Sequence, residues 1–399
     1  MAAATNVMVL NALDTSRPPS LAGSATRSQL LRALGPMGWA QTTCAGYAFP
    51  VAVSTKHRIA GRLREQAEAC RVMGSPLYAD LLDRAAEDVE AGGPTWEILR
   101  GHENDPWESM LPLRLTGSVH RLALQGKAPV LARHYSFDQT TPAGVWPEFR
   151  KVLTDHRDEL RELIERPVQT NEVGRSAILL GGFVLVAAET RLPLRCLEVG
   201  ASAGLNLRWD HYRYESGGDL WGSPESPVHF PNVFEEGRPP SGVPIQIVER
   251  LGCDLHPVDP ATDEGRLTLL SYVWPDQSER VKRLRSALEI ARRVPVSVEA
   301  ADALAWVRRR LAQPASGRAT LVFHSITALY FESEYRRRFA EAIEEAGRRA
   351  TADAPLAWLS LELEGDRFET RLRLWPGGED RLIALSGPHG PPVRWVWNR

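Results

Sequence analysis

The run from Leu192 to Leu207 constrains the fold more than any other part of the chain. An apolar stretch, Leu192 to Leu197, leads into Glu198, the small residues Gly200-Ala201-Ser202-Ala203-Gly204 follow, and an amphipathic segment begins at Leu205. That order reads as a strand, a tight turn and a helix N-terminus. It puts a ligand site at the carboxyl end of a parallel strand, where open α/β sheets bind their ligands.

The two sides of this run differ in character. From His57 to about Thr190 the periodicity is helical, with Gly74 ending one helix and Ser75-Pro76 starting the next as N-cap and first-turn proline. Helical segments are expected over Leu111–Leu124 and Pro147–Arg166, and Ala177–Ala188 reads as a buried helix whose Gly181-Gly182 suits close packing. After Leu192, apolar runs (Leu194–Val199, Ile245–Cys253, Val296–Ala300, Thr320–His324, Leu356–Leu363) alternate with helical ones (Leu205–Tyr212, Glu279–Arg293, Ala303–Ala312, Glu332–Ala350). Such alternation predicts a parallel sheet with helices on both faces. Arg371–Leu374 and Arg381–Leu385 read as a closing hairpin, and Val393–Trp397 as a final strand. The expected organisation is a weakly ordered extension over 1–55, an all-helical domain over 56–190 and a Rossmann-like α/β domain over 191–399. The Gly/Pro-rich insert around 213–244 reads as a loop or lid.

Bulk properties exclude several classes. A net charge of −2 and a pI near 6.6 exert no pull toward nucleic acid or anionic membranes. Arg308-Arg309-Arg310 and Arg336-Arg337-Arg338 read as solvated helix faces. Cys44, Cys70, Cys196 and Cys253 are far apart and form no Cys-x-x-Cys pair, which speaks against a zinc site or a disulfide framework and for buried thiols in a reducing cytoplasm. Ala177–Ala188 is shorter than the ~20 residues that span a bilayer. The first 55 residues carry no signal-peptide pattern.

Two chemistries fit the turn. A dinucleotide fingerprint would need glycine at Ser202 and Leu205, and no Gly-Lys-Ser/Thr follows to make a P-loop. Gly200-Ala201-Ser202-Ala203-Gly204 satisfies the Gly-x-Ser-x-Gly nucleophile elbow, with Asp302 and His324 or His389 available in hydrolase order. That reading lacks strands ahead of the elbow and a His-Gly-Gly-Gly segment. The turn is also similar to the acid-x-Gly-x-Gly-x-Gly cradle for S-adenosylmethionine in methyltransferases, with Ser202 where glycine is commoner. On that reading Glu198 faces the cofactor's amino group across Gly200, Ser202 and Gly204. Asp254, closing the next apolar run, takes the ribose, Asp302 lies beside the adenine, and His324 ends the fourth strand among acceptor or catalytic groups.

Each of these residues has a structural alternative. Glu198 could cap the following helix, Ser202 serve the turn, Asp302 cap the helix from Ala303, and His324 be a satisfied core histidine. Trp274, Trp306, Trp358 and Trp395 read as core, and no His/Asp/Glu pair has metal-ligand spacing. Thr170 could cap the apolar helix, with Glu172 near its positive end. The functional alternative has Asn171, Glu172 or Arg175 reaching the site, with Tyr272 and Asp276 as further substrate contacts.

Several stretches resemble the signatures of the bacterial DUF2332 family: Arg166–Ser176, Glu198–Arg208, Gly252–Pro260, Leu270–Gln277 and His389–Trp395. The resemblance runs from about Ile59 to Trp397, leaves the first 55 residues outside, and carries no established activity. Together with the turn, it implies a distant relative of class I methyltransferases. The expectation is a Rossmann-like methyltransferase domain behind a helical one, moving a methyl group from S-adenosylmethionine to a small molecule, with His324 as candidate base. A serine hydrolase using Ser202 and a non-catalytic cofactor-binding or regulatory protein are the rivals. No nucleic-acid or membrane partner and a cytoplasmic location are expected, and a homodimer is left open.

Overall fold

The computed structural model describes residues 54–135 and 144–397. The expected extension therefore lies outside the described residues except for Ser54 and Thr55, which already belong to a helix start. The Ser54 hydroxyl accepts the His57 N–H at the head of α1 (Thr55–Val72). Ser75 does the same for Tyr78 in α2 (Pro76–Ala91), with Pro76 in the first turn and Gly92 at φ +74° closing the helix. Next come α3 (Pro94–Leu99), α4 (Leu111–Leu124) and α5 (Pro129–His134). The expected helix over Pro147–Arg166 is two helices, α6 (Trp146–Asp155) and α7 (Arg157–Leu163), parted by the non-helical His156. These elements close their own apolar core around Leu63, Leu81, Leu115 and Phe149.

The apolar helix α8 (Arg175–Thr190) leads into β1 (Leu194–Val199). Its cap is Gly174, not Thr170, because the chain turns back through Glu172 and Val173 before the helix begins. A side chain at Gly181 or Gly182 would collide with Trp395 or Leu359, so the two glycines let the helix lie directly on the sheet.

The strands that follow β1 are β2 (Arg213–Ser216), β3 (Asp219–Gly222), β4 (His229–Phe230), β5 (Phe234–Glu236), β6 (Ile247–Asp254), β7 (Ser297–Ala300), β8 (Ala319–Ser325), β9 (Leu356–Glu364), β10 (Arg367–Trp375), β11 (Glu379–Ser386) and β12 (Val393–Trp395). A nine-stranded, mostly parallel sheet has the order β5-β12-β11-β10-β9-β8-β1-β6-β7. Within it β7, β6, β1, β8 and β9 run parallel, and β9 to β12 turn back and forth as a meander. The expected hairpin β10–β11 is part of that meander.

Helices cover both faces. One face carries α8 and the cluster of Phe183, Trp209 and Phe323. The other carries α11 (Ala303–Arg310) and α12 (Ser333–Arg348), with Trp306, Phe339 and Ile343 buried beneath them. Two further helices, α9 (Asp263–Ser271) and α10 (Ser278–Ala291), lie between β6 and β7 in sequence. No helix among the described residues is long and apolar enough to cross a membrane.

Two expectations are corrected. The insert around 213–244 is not a plain loop. Its β2, β3 and β4 form a small sheet of their own, and β5 pairs with β12 at the edge of the large one. Buried Tyr214, Trp221, Phe230 and Phe234 give it a core despite its glycines and prolines. The segment after the turn is a 3-10 helix, Asn206–His211, rather than an α-helix. The Arg208 guanidinium folds back onto the carbonyls of Ala203 and Gly204, and Arg208 itself leaves helical geometry.

Candidate functional site

β1 pairs with β6 on one side and β8 on the other, so the turn after Val199 emerges between two parallel strand ends. Succession along the chain runs one way from β1 (to β6, then β7) and the other way from β8 (to β9). The gap between β1 and β8 is therefore the switch point where open sheets of this kind form a crevice. Gly200 (φ +68°), Ser202 (φ +51°) and Gly204 (φ +66°) all adopt left-handed backbone. At Gly200 a side chain would also meet Thr327 Oγ1 at 2.6 Å, so glycine is required twice over.

The turn is held from two directions. From the sheet, Cys253 O accepts the Ala201 N–H at 3.0 Å, and Asp254 Oδ2 accepts the Ser202 N–H at 2.9 Å. From the segment ahead of α8, Asn171 Oδ1 accepts both Ala203 N–H (3.2 Å) and Leu205 N–H (2.9 Å), while the Ser202 hydroxyl donates to Gln169 Oε1 at 2.7 Å. Ser202 is thus a turn residue with its hydroxyl engaged by an amide. No triad with Asp302 and His324 is assembled around it.

Glu198, Asp254 and Asp302 stand at the ends of three adjacent strands, β1, β6 and β7. Glu198 is 2% exposed, and burial pushes its carboxyl well above the ordinary range; the Asn206 amide donates to it and partly opposes the shift. Its Oε2 has no hydrogen-bond partner among the described residues. Asp254 also accepts the His256 N–H, at 2.9 Å, leaving Leu255 between them 68% exposed. Asp302 caps α11 through Ala305 N–H and receives the Tyr335 hydroxyl at 2.6 Å.

Arg175 and Glu172 approach from the other side. Glu172 is buried; despite that burial, Arg280 at 2.5 Å and the Gly174 N–H hold its carboxyl below the ordinary range. The Arg175 guanidinium donates to Ser325 O (2.9 Å) at the end of β8 and to Pro388 O (3.2 Å). Thr327, the neighbour of Gly200, shares the Ser325 carbonyl.

Three expected site residues sit elsewhere. His324 is buried against Phe339 and Trp358 on the far face. Its Nε2 accepts the Trp358 indole N–H at 3.0 Å, so Nδ1 carries the proton and donates to Glu362 at 2.7 Å. Neither nitrogen is open to a substrate. Asp276 accepts the Ser75 hydroxyl (2.7 Å) and the Leu77 N–H, capping α2 from outside. The Tyr272 ring packs over Gly117 and its hydroxyl donates to Pro167 O. Both therefore join the helical half to the segment between α9 and α10. Among residues the sequence does not single out, Thr327, Asn206 and Glu362 matter most. Glu362 fixes the Thr327 and Ala328 N–H groups, and no local pattern announces a partner 34 or 35 positions away.

Residues 60–395 match the family model DUF2332, described as an uncharacterized protein conserved in bacteria, and the chain belongs to that family. No curated protein and no solved structure matches it.

Proposed function

We propose that this DUF2332 protein is an S-adenosylmethionine-dependent methyltransferase acting on a small-molecule acceptor. One observation carries the reading: a buried carboxyl with an orphaned oxygen, Glu198 Oε2, lies at the end of β1 just ahead of a turn where only glycine fits at Gly200. An unpartnered buried acceptor costs about 1–3 kcal/mol, which a donor from a ligand would recover. In sequence order the parallel strands run 3-2-1-4-5 across the sheet, as in Rossmann-like domains. That order supports a finer assignment than mixed α/β.

The residues fit the cofactor. Glu198 would face its cationic amino group, Gly200, Ser202 and Gly204 would allow close backbone approach, and Asp254 would reach the ribose. Exposed Leu255 offers an apolar surface for the base. Asp302 would border the adenine; like Asp254 it already holds two donors, so each acid would use a remaining lone pair. When bound, the cofactor supplies an electrophilic methyl group on a sulfonium. The chain's own contribution is to orient the acceptor at the switch point and shield it from water. Both nitrogens of His324 are engaged, so its role here is to hold Glu362, which in turn holds Thr327 beside Gly200.

The thiols of Cys70, Cys196 and Cys253 are buried and form no disulfide among the described residues, which supports a reducing, cytoplasmic setting. Incubation with methyl-labelled cofactor and a bacterial metabolite extract tests the reading. Label should enter a small product with the wild-type protein and not with Glu198→Gln.

A further inference from the structure

At the switch point the Arg175 guanidinium makes no ion pair among the described residues. Arg175 is fixed by two backbone carbonyls, Ser325 O and Pro388 O, through Nη1 and Nε. No carboxylate among the described residues pairs with it. The two nearby acids are engaged elsewhere: Glu172 by Arg280 and Gly174 N–H, and Glu362 by His324 and the Thr327 and Ala328 N–H groups. Nη2, the third nitrogen of the fork, makes no hydrogen bond among the described residues, and the Ser325 carbonyl links this guanidinium to Thr327 and so to Gly200.

His389 lies beside it. The His389 ring packs edge-on to Trp274 at 5.5 Å and makes no hydrogen bond among the described residues. Burial, helped by Arg280 and Arg175 and partly opposed by the Glu172 carboxylate, pushes it down to about 3, so the ring is neutral and has an N–H to give. The loop carrying it is pinned, since a side chain at Gly174 would collide with His389 O. Half-exposed Tyr330 ends the 3-10 turn Ala328–Tyr330 that follows Thr327. A rigid guanidinium with an unused N–H and a neutral imidazole, beside a Glu172 carboxylate already claimed by Arg280, together suit an oxyanion.

We propose that Arg175, with His389 beside it, forms an oxyanion subsite at the switch point that binds a carboxylate or phosphate group. Two sources carry that chemistry, an anionic acceptor or the carboxylate of the cofactor's own methionine moiety. The proposal rests on the methyltransferase reading only for the identity of the neighbouring ligand.

The test titrates the described protein, full chain, with inorganic phosphate and with acetate, following the His389 ring-proton resonances (assigned with His389→Asn) and thermal stability. In the wild type both anions should shift those resonances and raise Tm. Arg175→Gln should weaken the response about tenfold or more, as expected for losing a charge-assisted hydrogen bond, and Arg175→Lys should keep part of it. S-adenosylhomocysteine and methylthioadenosine, which lacks the amino-acid moiety, identify the source. A loss confined to S-adenosylhomocysteine in Arg175→Gln assigns the subsite to the cofactor's carboxylate; unchanged affinity for both, with anion binding lost, assigns it to the acceptor. No response of the wild type to phosphate and acetate, or an equal response in Arg175→Gln, overturns the proposal. If Arg175→Gln does not fold, the wild-type His389 resonances decide alone. Failure of both nucleoside ligands to bind the wild type would overturn the methyltransferase reading instead, while the anion titrations still decide this one.

Discussion

Asn171 caps the turn after β1 from outside the sheet: its Oδ1 accepts the Leu205 N–H at 2.9 Å and the Ala203 N–H at 3.2 Å. One side chain ahead of α8 thus satisfies two buried donors at the start of the 3-10 segment. Asn171→Ala should leave both unpaired and cost about 2–4 kcal/mol. Asn171→Asp, which keeps the acceptor, should recover most of that. Urea unfolding of the two variants checks this, and equal losses would show that the oxygen is not what matters.

Glu198 gives a pH-dependent prediction. Its carboxyl is raised in the folded protein, so the native state binds the extra proton above the ordinary carboxyl range. Its favourable contribution is full below the unfolded value and is lost as pH rises through the folded value. Glu198→Gln is never charged and keeps the shape. It should match the wild type in acid and become progressively the more stable of the two as pH rises toward neutrality, while losing cofactor affinity. Thermal unfolding across that range reads the difference; parallel curves would mean that folding does not raise the Glu198 carboxyl.

Gly200→Ala meets both a left-handed φ and the Thr327 side chain. A cost of about 1–3 kcal/mol is expected from the backbone alone. Adding Thr327→Ala should relieve the collision but not the backbone strain, so the double variant should recover part of the stability and no more. Full recovery would show that φ at this position is unimportant.

Asp276 should behave as a junction residue. Asp276→Ala removes the acceptor for the Ser75 hydroxyl and the Leu77 N–H and should cost about 1–2 kcal/mol, with S-adenosylhomocysteine affinity unchanged. A loss of affinity without a loss of stability would return Asp276 to the site.

The parallel strands are legible in the sequence because each is a short apolar run bounded by helical periodicity, and the acids Glu198, Asp254 and Asp302 mark where three of them end. The same logic misjudges the insert. Its strands are two to four residues long, and its buried aromatics are diluted by glycine and proline. Local pattern also cannot separate Asp302 as a cap from Asp302 as a ligand contact, or tell which face of β8 His324 takes. Both depend on partners far along the chain, Tyr335 and Trp358. Asn171 and Arg175 read only as a polar cluster before a helix. Their contacts with the Gly200 turn and with Ser325 come from the way α8 folds back onto the sheet.

Isothermal titration of the full chain with S-adenosylhomocysteine tests the central claim most directly, run in parallel on the wild type and on Glu198→Gln. Saturable binding by the wild type, weakened about tenfold or more in the variant, is the predicted result. No binding by the wild type, or equal affinity in the two proteins, would contradict the claim that the turn between β1 and β8 is a cofactor cradle built over Glu198.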